Sequence, residues 1–270
     1  MLNTVVIGAA GRMGKAIIRC LQANVVPDLK LSGAIDIWDA PDLKKDAGLA
    51  AGGAETGVLI TADLAAVAPS ANVVIDFSYP KGTAGNAPRM AEWGTAWVIG
   101  TTGLNEEELS AVRAAAESIP VVMAPNMSLG VNLLFKLVED AARALKERGY
   151  DVEIVERHHR RKKDAPSGTA LGLGRAVAAG MDLDLNAVAR HGREGIEKEE
   201  RPSTEIGFHA VRAGDYVGDH TVLFATDGES VELSHRATSR DTFAIGALRA
   251  AAWVHGKPPG LYSMRDVLGI

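Results

Sequence analysis

The opening residues leave the chain few folds to choose from. Asn3-Thr4-Val5-Val6-Ile7 is rich in β-branched side chains, as suits a buried parallel strand. Gly8-Ala9-Ala10-Gly11-Arg12-Met13-Gly14 follows without a gap, and residues 15–23 carry a helical pattern. Strand, glycine turn and helix in this order predict a βα unit whose turn lies against a pyrophosphate. Gly8 permits the tight turn, Gly11 lets the backbone approach the ligand and Gly14 lets the helix pack on the strand. Glycine-rich turns also occur with no ligand, so the end of the next strand carries weight. Residues 29–36 read as that strand, and Asp36 at its end lies about 20 residues beyond the turn, where a carboxylate can bond the ribose hydroxyls of a dinucleotide. Ile37 and Trp38 follow, with no arginine to pair with a 2′-phosphate. This favours NADH over NADPH, while Arg12, Lys44 and Lys45 remain as cations from elsewhere.

The same alternation continues. Residues 40–61 read as a loop with partial helix and a short strand near its end, 72–78 as a buried strand, 80–93 as its helix and 97–99 as the next strand. Asn105-Glu106-Glu107-Glu108 opens a further helix with the acidic first turn that the macrodipole favours, and Pro120-Val121-Val122-Met123 is another strand. Ligands of open α/β sheets bind beyond the carboxyl ends of the strands. Asp76-Phe77-Ser78, Gly100-Thr101-Thr102 and Ala124-Pro125-Asn126-Met127 are therefore expected to face the dinucleotide, although each alone is ordinary loop chemistry.

Beyond residue 130 the pattern changes. A helix over 131–148 places Leu133, Leu134, Leu137, Val138, Ala141 and Leu145 on one face, is stopped by Gly149 and joins two domains. Strands over 151–157, 204–212, 220–226 and 230–237, with a helix at 171–179, predict a mainly antiparallel or mixed sheet that can leave one face for other copies of the chain. A helix over 241–255, a turn at 256–260 and a short helix at 264–268 close the chain and return it to the first domain. The expected class is α/β: a Rossmann-like parallel sheet from residues 1–128 plus about 240–270, and an α+β substrate-binding and oligomerisation domain from 129–239.

Chemistry concentrates in Glu153 to Ala170. The alternating Glu153-Ile154-Val155-Glu156-Arg157 leads into His158-His159-Arg160-Arg161-Lys162-Lys163, then Asp164-Ala165-Pro166-Ser167-Gly168-Thr169-Ala170 opens a helix. Two imidazoles, the side chain whose unperturbed pKa lies near neutrality, stand beside four cations, and the backbone N–H groups of Ser167, Gly168 and Thr169 at a helix start offer a carboxylate or phosphate cradle. A basic run is often only a solvated face, but here it stands out from a chain whose formal net charge is −5. That contrast argues against nucleic acid and for a small acidic ligand. At 270 residues and 47% hydrophobic content the chain has room for two cores. Its single cysteine, Cys20, lies on an apolar helical stretch and rules out an internal disulfide. There is no Cys/His cluster for a metal, no leader pattern and no apolar run long enough for a bilayer, so a cytoplasmic protein is expected.

Together these stretches resemble the dihydrodipicolinate reductase family over nearly the whole chain, most specifically in Glu156-Arg157-His158-His159 through Lys162 to Asp164-Ala165-Pro166-Ser167-Gly168-Thr169-Ala170. Pro125-Asn126-Met127-Ser128-Leu129-Gly130-Val131-Asn132, Arg193-Glu194-Gly195, Ile206-Gly207-Phe208 and Arg212-Ala213-Gly214-Asp215 with Gly218-Asp219-His220-Thr221 are also similar. The resemblance implies reduction of 4-hydroxy-tetrahydrodipicolinate, a small dicarboxylate, to tetrahydrodipicolinate in lysine and diaminopimelate biosynthesis, by a homotetramer using NADH or NADPH. It implies that His158 is a proton donor/acceptor and that Lys162, chosen over Lys163 by family spacing, is the general acid. His159 would touch the substrate, and Ser167, Gly168 and Thr169 would cradle a carboxylate. Gly8, Ala9, Ala10, Gly11, Arg12, Met13, Asp36, Gly100, Thr101, Thr102, Ala124, Pro125, Asn126 and Met127 would be the dinucleotide contacts. The alternatives are another two-domain amino-acid or semialdehyde dehydrogenase, and a nucleotide sensor of the same fold without catalysis.

Overall fold

A computed structural model describes residues 1–270. The first strand, β1 (Leu2–Ile7), runs through the glycine turn into α1 (Arg12–Gln22). Gly8 takes φ +82°, and a Cβ at Gly14 would lie 2.2 Å from the Gly8 carbonyl oxygen, so neither position accepts a side chain without moving the backbone. The alternation proceeds through β2 (Leu29–Ile35), α2 (Ala47–Ala50), β3 (Ile60–Thr61), β4 (Val73–Asp76), α3 (Pro80–Trp93), β5 (Ala96–Ile99), α4 (Glu106–Ala116) and β6 (Pro120–Met123). A capping box starts α4: the Glu108 amide donates to Asn105 Oδ1 at 2.9 Å and the Asn105 amide to Glu108 Oε2 at 2.8 Å.

The chain then forms α5 (Leu129–Leu145), β7 (Asp151–His158), α6 (Gly168–Met181), α7 (Leu185–Val188), β8 (Ala189–His191), β9 (Ile206–Arg212), β10 (Gly218–Thr226) and β11 (Glu229–Ala237). It closes with α8 (Asp241–Val254), β12 (Gly260–Tyr262) and α9 (Met264–Leu268). Two compact units result, Met1–Leu129 with Arg240–Ile270, and Gly130–Ser239.

In the first unit all seven strands are parallel, in the order β12-β6-β5-β4-β1-β2-β3. Successive residues of a strand point to opposite faces, so Val6 joins Ile17, Leu248 and Ala251 in one core, while Val5 joins Met90, Trp97 and Val112 in another. Burial on both faces explains why these strands are near-continuous apolar runs.

The second unit carries a mixed sheet, β11-β10-β7-β9-β8. Its β11/β10 and β10/β7 pairs are antiparallel and its β7/β9 and β9/β8 pairs parallel. The sheet is therefore mixed rather than mainly antiparallel, because β9 enters beside β7 after a long connection and not through a hairpin. Leu134, Val138 and Ala142 of α5 and Leu173 and Val177 of α6 pack on Val152, Ile154, Phe208 and Phe224. Leu133 and Leu137, expected on the apolar face, are 43% and 45% exposed. The buried stripe follows the i, i+4 row from Leu134, and neighbours one residue earlier turn roughly 100° away from it. The helix also ends at Leu145 rather than 148, and β8 and β12, three residues each, are too short to show an alternation. No helix is long and apolar enough to cross a membrane.

Candidate active site

The first constellation is built almost wholly from backbone. Gly11 caps α1 without a side-chain bond, which leaves the first-turn N–H groups open to an anion. Asp36, just past the end of β2, accepts from the Ala10 amide at 2.7 Å and the Ile37 amide at 2.8 Å. Its half-buried carboxylate lines an open cleft of about 580 Å³ together with Gly8, Gly11, Trp38, Tyr79 and Arg89. A turn that a Cβ would fill, an open helix N-terminus and an acidic strand end fit an adenosine dinucleotide.

The other strand ends divide. Asp76 does not face a ligand: it is fully buried and accepts from the Ser78 amide at 3.0 Å and hydroxyl at 2.6 Å. That burial pushes its carboxyl above the usual range, only partly offset by those bonds. Phe77 and Ser78 do line the cleft, and those two bonds tie Ser78 to the buried Asp76. Gly100 packs under the Phe77 ring, which a Cβ would approach to 2.2 Å. The buried Thr101 hydroxyl accepts from Thr83 Oγ1 at 3.0 Å. Thr102 and Pro125 are exposed, whereas Ala9, Ala124 and Met127 are buried. Arg12 is exposed and Met13 half-buried, and Asn126 Oδ1 accepts the Ser128 amide at 2.9 Å. Residues 100–102 and 124–127 lie outside the lining of the Asp36 cleft.

The second constellation stands at the end of β7. Val152, Ile154, Glu156 and His158 share the strand's buried face, so a glutamate and a histidine continue a row that begins as core. Glu156, 1% exposed, is the hub. Its Oε2 receives His158 Nδ1 at 2.5 Å and Arg212 Nη1 at 2.8 Å, and its Oε1 receives Arg212 Nη2 at 2.7 Å and the Ser167 amide at 3.0 Å. Burial alone would raise this carboxyl, but the bonds from His158 and Arg212 outweigh it and hold the group at about 2. Arg212 also donates to the Asp164 carbonyl at 2.7 Å and so ties β9 to the loop before α6.

That loop is pinned by backbone as well. The Ala213 amide donates to the His158 carbonyl at 3.0 Å, the His159 amide to the Tyr216 carbonyl at 2.9 Å and the Lys162 amide to the His159 carbonyl at 3.0 Å. Lys162 Nζ meets Asp164 Oδ2 at 2.8 Å, so an anion stands within the basic run. The lysine holds the Asp164 carboxyl below its ordinary value. Lys163, by contrast, is exposed. Ser167 is buried and its hydroxyl is engaged, accepting from the Ala170 amide at 3.1 Å and meeting His220 Nε2 at 3.1 Å. Gly168 is exposed and Thr169 half-buried at the first turn of α6.

Three members escaped the sequence reading: Glu156 as a hub, Arg212 and His220. His220 pairs in register with Glu156 across β10, and its ring stands edge-on to His158 at 5.1 Å. Burial, then the neighbouring His158, lowers its pKa to about 3, so it is neutral in the fold. A glutamate and a histidine two apart on the core face of a strand were the available signal. Cys20 is buried in α1, and burial raises its thiol pKa, which leaves no cysteine nucleophile for semialdehyde chemistry.

Fold and turn together define a two-unit α/β protein of the dinucleotide-binding class. The family model described as dihydrodipicolinate reductase, N-terminus, matches residues 2–127, and the one described as its C-terminus matches residues 130–268. The chain belongs to the dihydrodipicolinate reductase family, a family of oxidoreductases for which a nicotinamide cofactor is implied. It is 52% identical over 269 residues to the 4-hydroxy-tetrahydrodipicolinate reductase of Thiobacillus denitrificans, covering 100% of this chain and 99% of the relative. It is 50% identical over 273 residues to that of Anaeromyxobacter dehalogenans, covering 100% and 98%. Among solved structures, a dipicolinate-bound dihydrodipicolinate reductase from Paenisporosarcina sp. TG-14 shares the fold, with TM-score 0.76, 24% identity and 98% of each chain covered.

Proposed function

We propose that this chain reduces 4-hydroxy-tetrahydrodipicolinate to tetrahydrodipicolinate in lysine and diaminopimelate biosynthesis, using NADH in preference to NADPH. The observation that carries the reading is the Glu156 hub, which binds a histidine and the N-cap amide of a helix to the same carboxylate in a chain matched by both family models.

A dianionic ring needs cations and N–H donors to hold it and an acid to protonate the atom that gathers electrons as it is reduced. A bound nicotinamide supplies the hydride. Exposed Gly168 and half-buried Thr169 present the N-terminal turn of α6 to one substrate carboxylate, and Ser167 shapes that turn by capping it. His159 adds a substrate contact. Lys162 delivers a proton as general acid, and its bond to Asp164 fixes the ammonium until substrate competes for it. His158 gives or takes a proton beside it. At the cofactor, the glycine turn and the first residues of α1, Gly8 to Met13, would hold the pyrophosphate and Asp36 the adenosine ribose. Gly100 to Thr102 and Ala124 to Met127 complete the nucleotide contacts at the ends of β5 and β6.

The cofactor preference rests on Asp36, whose charge opposes a 2′-phosphate, and on Ile37 and Trp38 beside it in the cleft. Arg89, from α3, lines the same cleft and leaves room for slower use of NADPH. A homotetramer in the cytoplasm, associating through the second unit's sheet, is part of the same reading. The test is the initial rate of NADH and NADPH oxidation with substrate generated from pyruvate and aspartate semialdehyde. Rapid oxidation with a higher kcat/KM for NADH is expected. No oxidation by folded protein that still binds nucleotide would refute the assignment.

A further inference from the structure

We infer that Glu156 is a positioning residue for proton transfer: it fixes His158 in the Nδ1–H tautomer, with Nε2 as its only proton-exchanging atom, and locks that ring to the amide that begins the substrate cradle. This rests on the reductase reading for its substrate, but its structural half does not.

Donor counting around the carboxylate fixes the tautomer. An ionised carboxylate can only accept, so all four of its close neighbours must donate: His158 Nδ1, Arg212 Nη1 and Nη2, and the Ser167 amide. His158 must therefore carry its hydrogen on Nδ1 when the ring is neutral, which leaves the Nε2 lone pair for exchange with a substrate. When the ring is charged it gives up the Nε2 proton and keeps the Nδ1 proton on Glu156, so one proton moves and the tautomer is preserved. Arg212 makes this possible. Its bidentate pair keeps the buried carboxylate ionised, whereas a protonated acid in the same place would present a hydrogen to a neighbour that already has one.

The groups around the ring support the same assignment. Glu156 bonds it from β7 itself, Arg212 stands opposite His158 on β9 and shares that carboxylate, and His220 meets the ring edge-on from β10, while His235 of β11 and Lys162 of the loop before α6 act on His220 in turn. His220 is neutral and uses Nε2 on Ser167 Oγ, so it adds bulk and no charge beside His158. On the Nε2 side stands Gly218, where a Cβ would come within 3.0 Å of that nitrogen. The missing side chain keeps the exchanging atom uncrowded.

The experiment combines a spectrum with a pair of variants. The ¹⁵N shifts of His158 are recorded in the wild-type protein at a pH where the ring is neutral, then in E156Q. The expected result is a pyrrole-type Nδ1 and pyridine-type Nε2 in the wild type, and a tautomer mixture in E156Q with kcat lowered about 10²-fold. A double variant, E156Q/R212Q, removes the unbalanced arginine that E156Q leaves. If Glu156 merely anchored Arg212, the double variant would regain wild-type kcat and pH profile. If it positions His158, kcat stays low although the melting temperature recovers. A wild-type Nε2–H tautomer, or full recovery of kcat by the double variant, would overturn the inference. The spectrum needs no turnover, so a wild type that oxidises no cofactor with this substrate removes the reductase reading and leaves the role of Glu156 to be decided by the tautomer alone.

Discussion

Each unit contains a carboxylate at a strand end that accepts an amide from a strand-to-helix turn. In the first unit Asp36 takes the Ala10 amide, and in the second Glu156 takes that of Ser167. The turns differ in material. Around Asp36 the turn is glycine and backbone, the carboxylate is half-buried and an open cleft lies against it. Around Glu156 the neighbours are arginine and histidine, and the carboxylate is sealed. A carboxylate left beside open space can bond a ligand. One closed in by donors can only orient them. The same local motif thus serves recognition in one unit and positioning in the other.

The largest effects should come from the proton-transfer groups. Replacing Lys162 or His158 by alanine is expected to lower kcat by about 10²- to 10⁴-fold while nucleotide titrations stay unchanged. Full kcat in both folded variants would break the assignment of roles. Gly14→Ala tests the backbone character of the first turn. Its Cβ would sit 2.2 Å from the Gly8 carbonyl oxygen, so the turn must shift, with about 1–3 kcal/mol lost in denaturant unfolding and nucleotide binding weakened. Asp36→Asn sharpens the comparison further. It should cost roughly tenfold in NADH affinity and reduce the preference over NADPH, read as the ratio of kcat/KM values.

Acid should reveal the sealed site next. Glu156 is held at about 2 in the fold against an ordinary 4.5, so its stabilisation is complete above the ordinary value and is lost as pH falls towards 2. His220 stays neutral down to about 3 although the unfolded ring charges near 6.5, so the unfolded chain gains the proton first and stability drains below 6.5. Both act in the same direction. Melting temperature should fall on acidification from about pH 7 to about pH 5, and less so in His220→Asn. An equal slope in that variant would show that His220 does not carry the effect. The smallest change is expected for Gly218→Ala, whose Cβ would press on His158 Nε2 from 3.0 Å: a severalfold loss of kcat with little change in KM.

Much of the first unit was readable because its signals are local. Helix 80–93 and strand 120–123 coincide with α3 and β6, and the glycine turn lies where its spacing put it. The second unit depends on register. Arg212 reaches Glu156 only because β9 lies parallel to β7 with His158 opposite Arg212, a pairing of residues 54 apart (212 less 158) that no window of sequence contains. His220 reaches the site through the antiparallel register of β10 with β7. Asp76 misled for the converse reason. A strand-end aspartate reads as a ligand group, but all four residues of β4 are buried, and the carboxylate turned inward to Ser78. The basic run itself was plain, yet the residue that organises it, Glu156, looked like one polar position in an alternating strand until its burial was seen.

The most direct test of the division between the two carboxylates is a titration of NADH into the Asp36→Asn and Glu156→Gln proteins. It is followed by tryptophan fluorescence, since Trp38 lines the cleft beside Asp36 and is 80% exposed. Weakened binding is expected in the first variant and wild-type binding in the second. Equal weakening in both, or weakening by Glu156→Gln alone, would contradict that division.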